Sequence, residues 1–259
     1  MSALKFGNEF NFWLKSEKGT DLTRGVADGK PLKTGKEEVL INPKRSALVI
    51  IDMQNYFLHE KCCNGKLGRE MIPTMIETVK ACRKAGMPVV WCNMGFHKAD
   101  LKTIPPSYLY SSYRRDKTIE VFGESIGQLE DGTDMGGKLA KGSWNAQLYG
   151  PLKELADEGI AAGTDVWLWK NRYSGLTGSQ PLNLWLEEND ITTTFFGGVN
   201  TDICVWGTMA DAYYLGYDIV LVKDLAATGN PDFTTQTAYF ATEMRGWTTD
   251  SESLEAALA

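Results

Sequence analysis

The chain is poor in several features that would declare a function at once. Only two histidines, His59 and His97, occur in 259 residues. A metal site needs three or more convergent ligands, so none is expected. The five cysteines are odd in number and contain no CxxC pair. They do not read as a disulfide framework and point to a reducing compartment. There is no run of 18 apolar residues, so no membrane span is expected. The N-terminal stretch holds no apolar segment of signal-peptide length, and the expected location is the cytoplasm. Positive charge is also short: 27 Lys and Arg against 33 Asp and Glu leave a net charge of −6. Nothing offsets phosphate, which argues against nucleic acid or an anionic membrane as partner. No GxGxxG or GxxxxGK follows a strand, so no nucleotide cofactor is expected, and the expected cofactor list is empty. What is present is 43% hydrophobic and 23% charged, an ordinary globular mixture.

Read along the chain, residues 1–44 are mixed and polar, with Phe10, Phe12 and Trp13 near the start. They read as an extension that wraps the surface or meets a partner subunit. Residues 45–259 read as one domain. Ser46–Ile51 is apolar almost throughout, as in a strand buried on both faces, and ends at Asp52. Helical spacing follows over 69–85, then a second strand over 88–94. Residues 95–163 carry Pro105-Pro106, a tyrosine patch (Tyr108, Tyr110, Tyr113) and many glycines, and read as a lid or active-site wall. Further strands are expected over 165–169, 191–197 and 218–222 and near Trp247, with helices over 181–189, 201–215 and 233–245. Strand alternating with helix implies an α/β fold: a doubly wound, mainly parallel six-stranded sheet with helices on both faces. Ligands of such sheets bind beyond the carboxyl ends of the strands.

Three chemically capable residues fall at those ends. Cys204 lies in Gly197-Gly-Val-Asn-Thr-Asp-Ile-Cys, a strand-to-helix turn in which Thr201 and Asp202 are good caps. A helix start favours an anion, so a lowered thiol pKa is expected, and the turn offers backbone amides to an oxyanion. The plainer reading is a small core residue. Asp52 ends an apolar strand, where a carboxylate needs partners; it reads as a general base or as a cap of the next turn. Lys170 ends the strand containing Trp167 and Trp169, and reads as a buried cation facing a carboxylate or as a snorkelling surface lysine. Together they make a nucleophile, a base and a cation on one sheet edge, which covalent acyl transfer requires.

The stretches ALVIIDMQNYF (47–57), KGSWNAQLYGPL (141–152), WKNRYSGLTGSQPLNLWL (169–186) and GGVNTDICVWGTMADAYYLGYDIVLVKDLAAT (197–228) resemble the isochorismatase-like cysteine hydrolases. That superfamily includes nicotinamidases, N-carbamoylsarcosine amidases, ureidoacrylate amidohydrolases and isochorismatases. The resemblance implies a three-layer α/β/α fold and a catalytic triad of Asp52, Lys170 and Cys204. It also implies a cis peptide joining Val199 to Asn200, and an oxyanion hole made by the backbone amides of Asn200 and Cys204. The implied reaction is hydrolysis of a C–N bond in a small amide, carbamoyl or ureido compound through a thioester. Nicotinamidases carry an Asp-x-His pair and a further His for a metal; Asn93–His97 supplies no such pair, so nicotinamide is disfavoured. Two other readings compete. A vinyl-ether hydrolase of the isochorismatase type would retain activity in Cys204→Ala and lose it in Asp52→Asn. A catalytically silent binding protein would show no preferential labelling of Cys204.

The expected substrate wall comprises Gln54, Phe57, Asn93, Tyr173 and Trp206, covered by tyrosines of the 105–115 segment. Aromatic walls suit a flat or partly apolar acyl group. Arg114 and Arg115 are candidate carboxylate clamps, although paired loop arginines are commonly solvated. The aromatic N-terminal extension suggests a homo-oligomer, dimer or tetramer, acting on a small molecule.

Overall fold

The computed structural model describes residues 3–116 (backbone only from 113), 121–178 and 180–259. Residues 4–41, for which sequence patterning suggested no regular elements, form five short strands: β1 (Leu4–Gly7), β2 (Phe12–Ser16), β3 (Gly19–Asp21), β4 (Lys30–Lys33) and β5 (Glu38–Ile41). They pair in the order β1-β2-β3-β5-β4. Strands of three to five residues are too short to show a two-residue period above noise.

The main sheet contains β6 (Ser46–Ile51), β7 (Val89–Met94), β8 (Asp165–Lys170), β9 (Thr193–Val199), β10 (Asp218–Ala227) and β11 (Trp247–Thr249). Its order is β11-β10-β9-β6-β7-β8, and all neighbours are parallel. Every residue of β6, β7 and β9 is buried, as unbroken apolar runs demand when helices cover both faces. Full burial of each Val, Leu, Ile or Phe contributes about 1.5–3 kcal/mol.

The strand order decides where the helices lie. From β6 the chain steps outward to β7 and β8, then jumps back past β6 to β9 and steps the other way to β10 and β11. With right-handed crossovers, helices Ile72–Lys84 and Pro151–Ala162 cover one face. Helices Pro181–Glu188, Trp206–Leu215 and Asp232–Glu243 cover the other. The last helix, Ser251–Leu258, returns to the first face, where Thr78 Oγ1 donates to Glu255 Oε1 at 2.7 Å. Helix Pro151–Ala162 falls in the stretch read as an irregular insertion. It buries Leu152, Leu155, Ala156 and Gly159, starts on a proline and stops at Gly163 with φ +73°. It is a sheet crossover, not part of the wall.

The direction of winding reverses between β6 and β9. Crossovers leave these strands on opposite faces, and a crevice opens beyond their carboxyl ends. The two backbones approach closely there. A Cβ on Gly198, whose φ is +113°, would lie 2.0 Å from the Ile51 carbonyl oxygen. We expect Gly198→Ala to lower stability by about 2–4 kcal/mol, from the positive φ and the overlap together. A melting temperature within 2 °C of the parent's, read by calorimetry as about 1 kcal/mol or less, would contradict this.

Candidate active site

Asp52 follows β6 with φ +54° and is fully buried. Its Oδ1 accepts the Met94 amide at 2.8 Å, and its Oδ2 lies 2.8 Å from Lys170 Nζ. Lys170, also fully buried, ends β8 in register with Met94. Its ammonium donates to the Arg172 carbonyl at 3.1 Å. The Asp52 carboxylate thus faces both the Lys170 ammonium and the Cys204 thiol. Cys204 is 4% exposed, and its thiol lies against both Asp52 and Lys170. The three residues come from the ends of β6 and β8 and the turn after β9, and they meet as the sheet-edge argument expects.

The turn after β9 carries the cis bond that the resemblance implied, and a helical form that the sequence pattern did not show. The Val199–Asn200 peptide is cis, and Thr201–Val205 is a single π-helical turn leading into helix Trp206–Leu215. The Asn200 carbonyl accepts the amides of Ile203 at 3.1 Å and Val205 at 3.2 Å. In an α-turn it would take the amide of Cys204 instead. The wider turn therefore leaves the Cys204 N–H beside its own thiol without that acceptor.

The electrostatics correct one expectation. Burial pushes the Cys204 thiol up, and the Asp52 carboxylate pushes it further, against the pull of Lys170. A helix start contributes about 0.3–1 kcal/mol, less than the loss of thiolate hydration in a sealed site. The resting nucleophile is therefore a thiol that needs a base. Burial also raises the Asp52 carboxyl, with Lys170 and the Met94 amide opposing, so it is more basic than a surface aspartate. Burial works against the charge on Lys170, but Asp52 together with Cys204 and Cys92 outweighs it and holds the ammonium protonated.

The expected wall residues divide. Phe57 is nine-tenths buried and lines a cleft of about 650 Å³ that also touches Val199, Asn200 and Ile203. The cleft touches Asn200 but is not lined by Asp52, Lys170 or Cys204. Tyr173 sits in the loop after Lys170 with its ring 4.4 Å from that of Tyr108. Gln54 is corrected to a structural role. Its Nε2 donates to the carbonyls of Met94 and Ala146, both at 2.8 Å, and its Oε1 accepts the Met94 amide at 2.9 Å. Asn93 is corrected too. Successive strand residues face opposite ways, so Asn93, in register with Trp169, lies on the other face of β7 from Met94 and Lys170. Trp206 carries Arg245 over its ring, with the guanidinium 5.9 Å from the centroid, and is set beside that contact rather than on the trio. The side chains of Arg114, Arg115 and Tyr113 lie outside the described residues. His59 packs edge-on to Trp144, and His97 caps helix Lys98–Leu101. Among the described residues, no three His, Cys, Asp or Glu converge as a metal site, and no helix is long and apolar enough to cross a membrane.

Comparison with known proteins agrees with this geometry. The isochorismatase domain profile matches residues 46–253. The chain is 32% identical over 231 residues to ureidoacrylate amidohydrolase RutB of Cronobacter sakazakii, covering 86% of this chain and 92% of the relative. Among solved structures, a cysteine hydrolase from Pseudomonas syringae pv. phaseolicola superposes with a TM-score of 0.64 at 17% identity, over 90% of this chain and 98% of its own. N-carbamoylsarcosine amidase from Thermoplasma acidophilum superposes with a TM-score of 0.56 at 25% identity, over 80% and 97%. A profile spanning most of the chain, a relative at this identity and a matching six-stranded parallel sheet lead to one conclusion: the chain belongs to the isochorismatase family.

Proposed function

We propose that this protein is a cysteine-dependent hydrolase that cleaves the C–N bond of a small amide, carbamoyl or ureido compound through a thioester. The observation that carries the reading is the buried Asp52–Lys170 pair set against the Cys204 thiol. Asp52 takes the thiol proton while Sγ attacks the carbonyl carbon and a C–S bond forms. The oxyanion lies on the amides of Asn200 and Cys204. The C–N bond then breaks, with the proton passing from Asp52 to the leaving nitrogen. Water, deprotonated by Asp52, opens the thioester to release the acid and restore the thiol. Lys170 keeps Asp52 oriented and offsets its charge. The names of the relatives, a ureidoacrylate amidohydrolase and an N-carbamoylsarcosine amidase, favour a ureido or carbamoyl substrate.

The test is ammonia release from a panel of small amides and ureides, with acid-quenched enzyme weighed by mass spectrometry. An acyl adduct on the Cys204 peptide is expected. Turnover without any adduct, and undiminished in Cys204→Ala, would instead match vinyl-ether chemistry. The pH profile gives a further expected outcome. Asp52 must be ionised to take the proton, so kcat/KM falls as pH drops through its pKa. Because burial raises that pKa, the acid limb should lie above the value of about 3.9 for an exposed aspartate. A limb at or below that value in a kcat/KM profile would remove Asp52 as the base.

The reading extends to the setting. Among the described residues Cys62, Cys82, Cys92 and Cys204 form no disulfide, which supports a reducing, cytoplasmic location. Exposed Tyr214, Phe233, Phe240 and Met244 support self-association into a homo-oligomer. A monomeric mass by light scattering at micromolar concentration would remove that part.

A further inference from the structure

The hydroxyl of Tyr108 is oddly placed for a buried tyrosine. Tyr108 is 9% exposed and comes from helix Pro106–Asp116, in the segment that covers the site. Its ring lies against Tyr173 and 5.8 Å from Phe122. Its hydroxyl donates to the Met94 thioether sulfur at 3.8 Å, a weak acceptor. Buried tyrosine hydroxyls ordinarily find an oxygen or nitrogen partner, because an unmade hydrogen bond is costly.

The donor's position gives this poor match a meaning. Met94 is the residue whose amide holds Asp52 Oδ1 and whose strand position is in register with Lys170. Tyr173 lies three residues beyond Lys170 in the loop whose Arg172 carbonyl accepts its ammonium. The hydroxyl therefore lies near the trio, within electrostatic reach of Cys204 and Asp52. Arg172 anchors the same loop: its guanidinium donates to the carbonyls of Asn171 at 2.7 Å and Thr103 at 3.3 Å, and among the described residues it has no carboxylate partner. The wall thus holds a neutral donor with only a sulfur to bond and a cation held only by carbonyls. Both suit oxygen acceptors.

We propose that Tyr108 is a substrate-binding residue whose hydroxyl leaves Met94 sulfur to donate to an oxygen of the substrate remote from the carbonyl under attack. This rests on the amidohydrolase reading and narrows its substrate class to small amides or ureides that carry a second oxygen acceptor, a carboxylate or a carbonyl. The phenol stays protonated, since burial raises it well above the ordinary tyrosine range, so it serves only as a donor.

The test crosses one substitution with one change in substrate. Tyr108→Phe keeps the ring and removes the hydroxyl. The probes are 3-ureidoacrylate and an analogue with a methyl group in place of its carboxyl. With the parent enzyme, replacing the carboxyl should lower kcat/KM by about 10- to 100-fold, the range for a hydrogen bond to a charged acceptor. Tyr108→Phe should lose a similar factor on the acid and lose little more on the analogue, chiefly through KM. Equal losses on both probes, or none, would overturn the proposal, because a packing role cannot distinguish them. If the parent hydrolyses neither probe, the reading for ureido substrates fails on its own. Binding then decides the role of Tyr108. Protection of Cys204 from iodoacetamide by propionate, a carboxylate with no electrophilic alkene, should be about tenfold weaker in Tyr108→Phe. Equal protection, or no protection in the parent, overturns it.

Discussion

Cys204→Ala should lower kcat/KM for hydrolysis by about 10⁴-fold or more while leaving the fold intact, and Asp52→Asn should do nearly the same. Nucleophile and base act as one unit, so losing either removes the covalent route and the double variant should be little worse than each single one. The magnitude follows from the geometry. The thiol is buried and rests protonated, so without Asp52 it has no nearby acceptor for its proton. Without sulfur, Asp52 can only activate water, with no covalent intermediate to divide the barrier. Alanine at 204 removes one atom from a tight site, so the melting temperature should stay within a few degrees. Initial rates on the substrate found by the panel, with calorimetry on the same samples, check both halves. Residual activity within tenfold of the parent in Cys204→Ala would reject nucleophilic catalysis.

The second large effect concerns stability and lies at the opposite end of the sheet. Asp218, the first residue of β10, is buried with its carboxylate taken by four donors. Arg24 holds both oxygens, with Nη2 2.8 Å from Oδ1, while Trp13 Nε1 and Thr193 Oγ1 each donate at 2.8 Å. Arg24 and Trp13 belong to the N-terminal segment and Thr193 begins β9, so this knot ties the small sheet to the large one. Arg24→Ala leaves a buried carboxylate without its cation and should cost about 3–5 kcal/mol. At about 2–4 °C per kcal/mol for a chain of this size, the melting temperature should fall by roughly 6–20 °C. The deficit should depend on pH in a definite direction. Burial already raises the Asp218 carboxyl, and losing Arg24 raises it further. The folded variant then binds a proton that the unfolded chain releases, so its stability falls as pH rises through that pKa. Melting curves at pH 5 and pH 8 should show the smaller deficit at pH 5. Activity per folded molecule should be unchanged, because Asp218 starts the strand whose far end approaches the site. A deficit below 1 kcal/mol at both pH values would show that the small sheet docks without this pair.

Much of this molecule could be read from its amino-acid order, and the exceptions share a cause. The strands of the main sheet were legible chiefly because parallel strands covered on both faces are written as unbroken apolar runs, such as Ala47–Ile51 and Val89–Cys92. Asp52, Lys170 and Cys204 were legible for the same reason: a charged or nucleophilic residue that ends such a run lies at the carboxyl edge, where doubly wound sheets hold ligands. Sequence by itself thus determined the architecture of the main sheet and pointed to the trio, but left the small N-terminal sheet unmarked. Which side chains surround the trio was decided by tertiary structure. Strand alternation turned Asn93 away and Met94 inward, a parity that an unbroken apolar run does not display. Gln54 became a buckle because the carbonyls of Met94 and Ala146, 40 and 92 residues away, converge on its amide. The thiol's pKa direction depended on burial and on the Asp52 charge, which a helix-start argument leaves out. Tyr108 reached the site through a segment with no clear period, and only the packing against Tyr173 and Met94 showed which tyrosine faces inward. Periodicity and strand ends are local and survive in one dimension. Facing, burial and hydrogen-bond partners are relations between distant residues, and they exist only once the chain has folded.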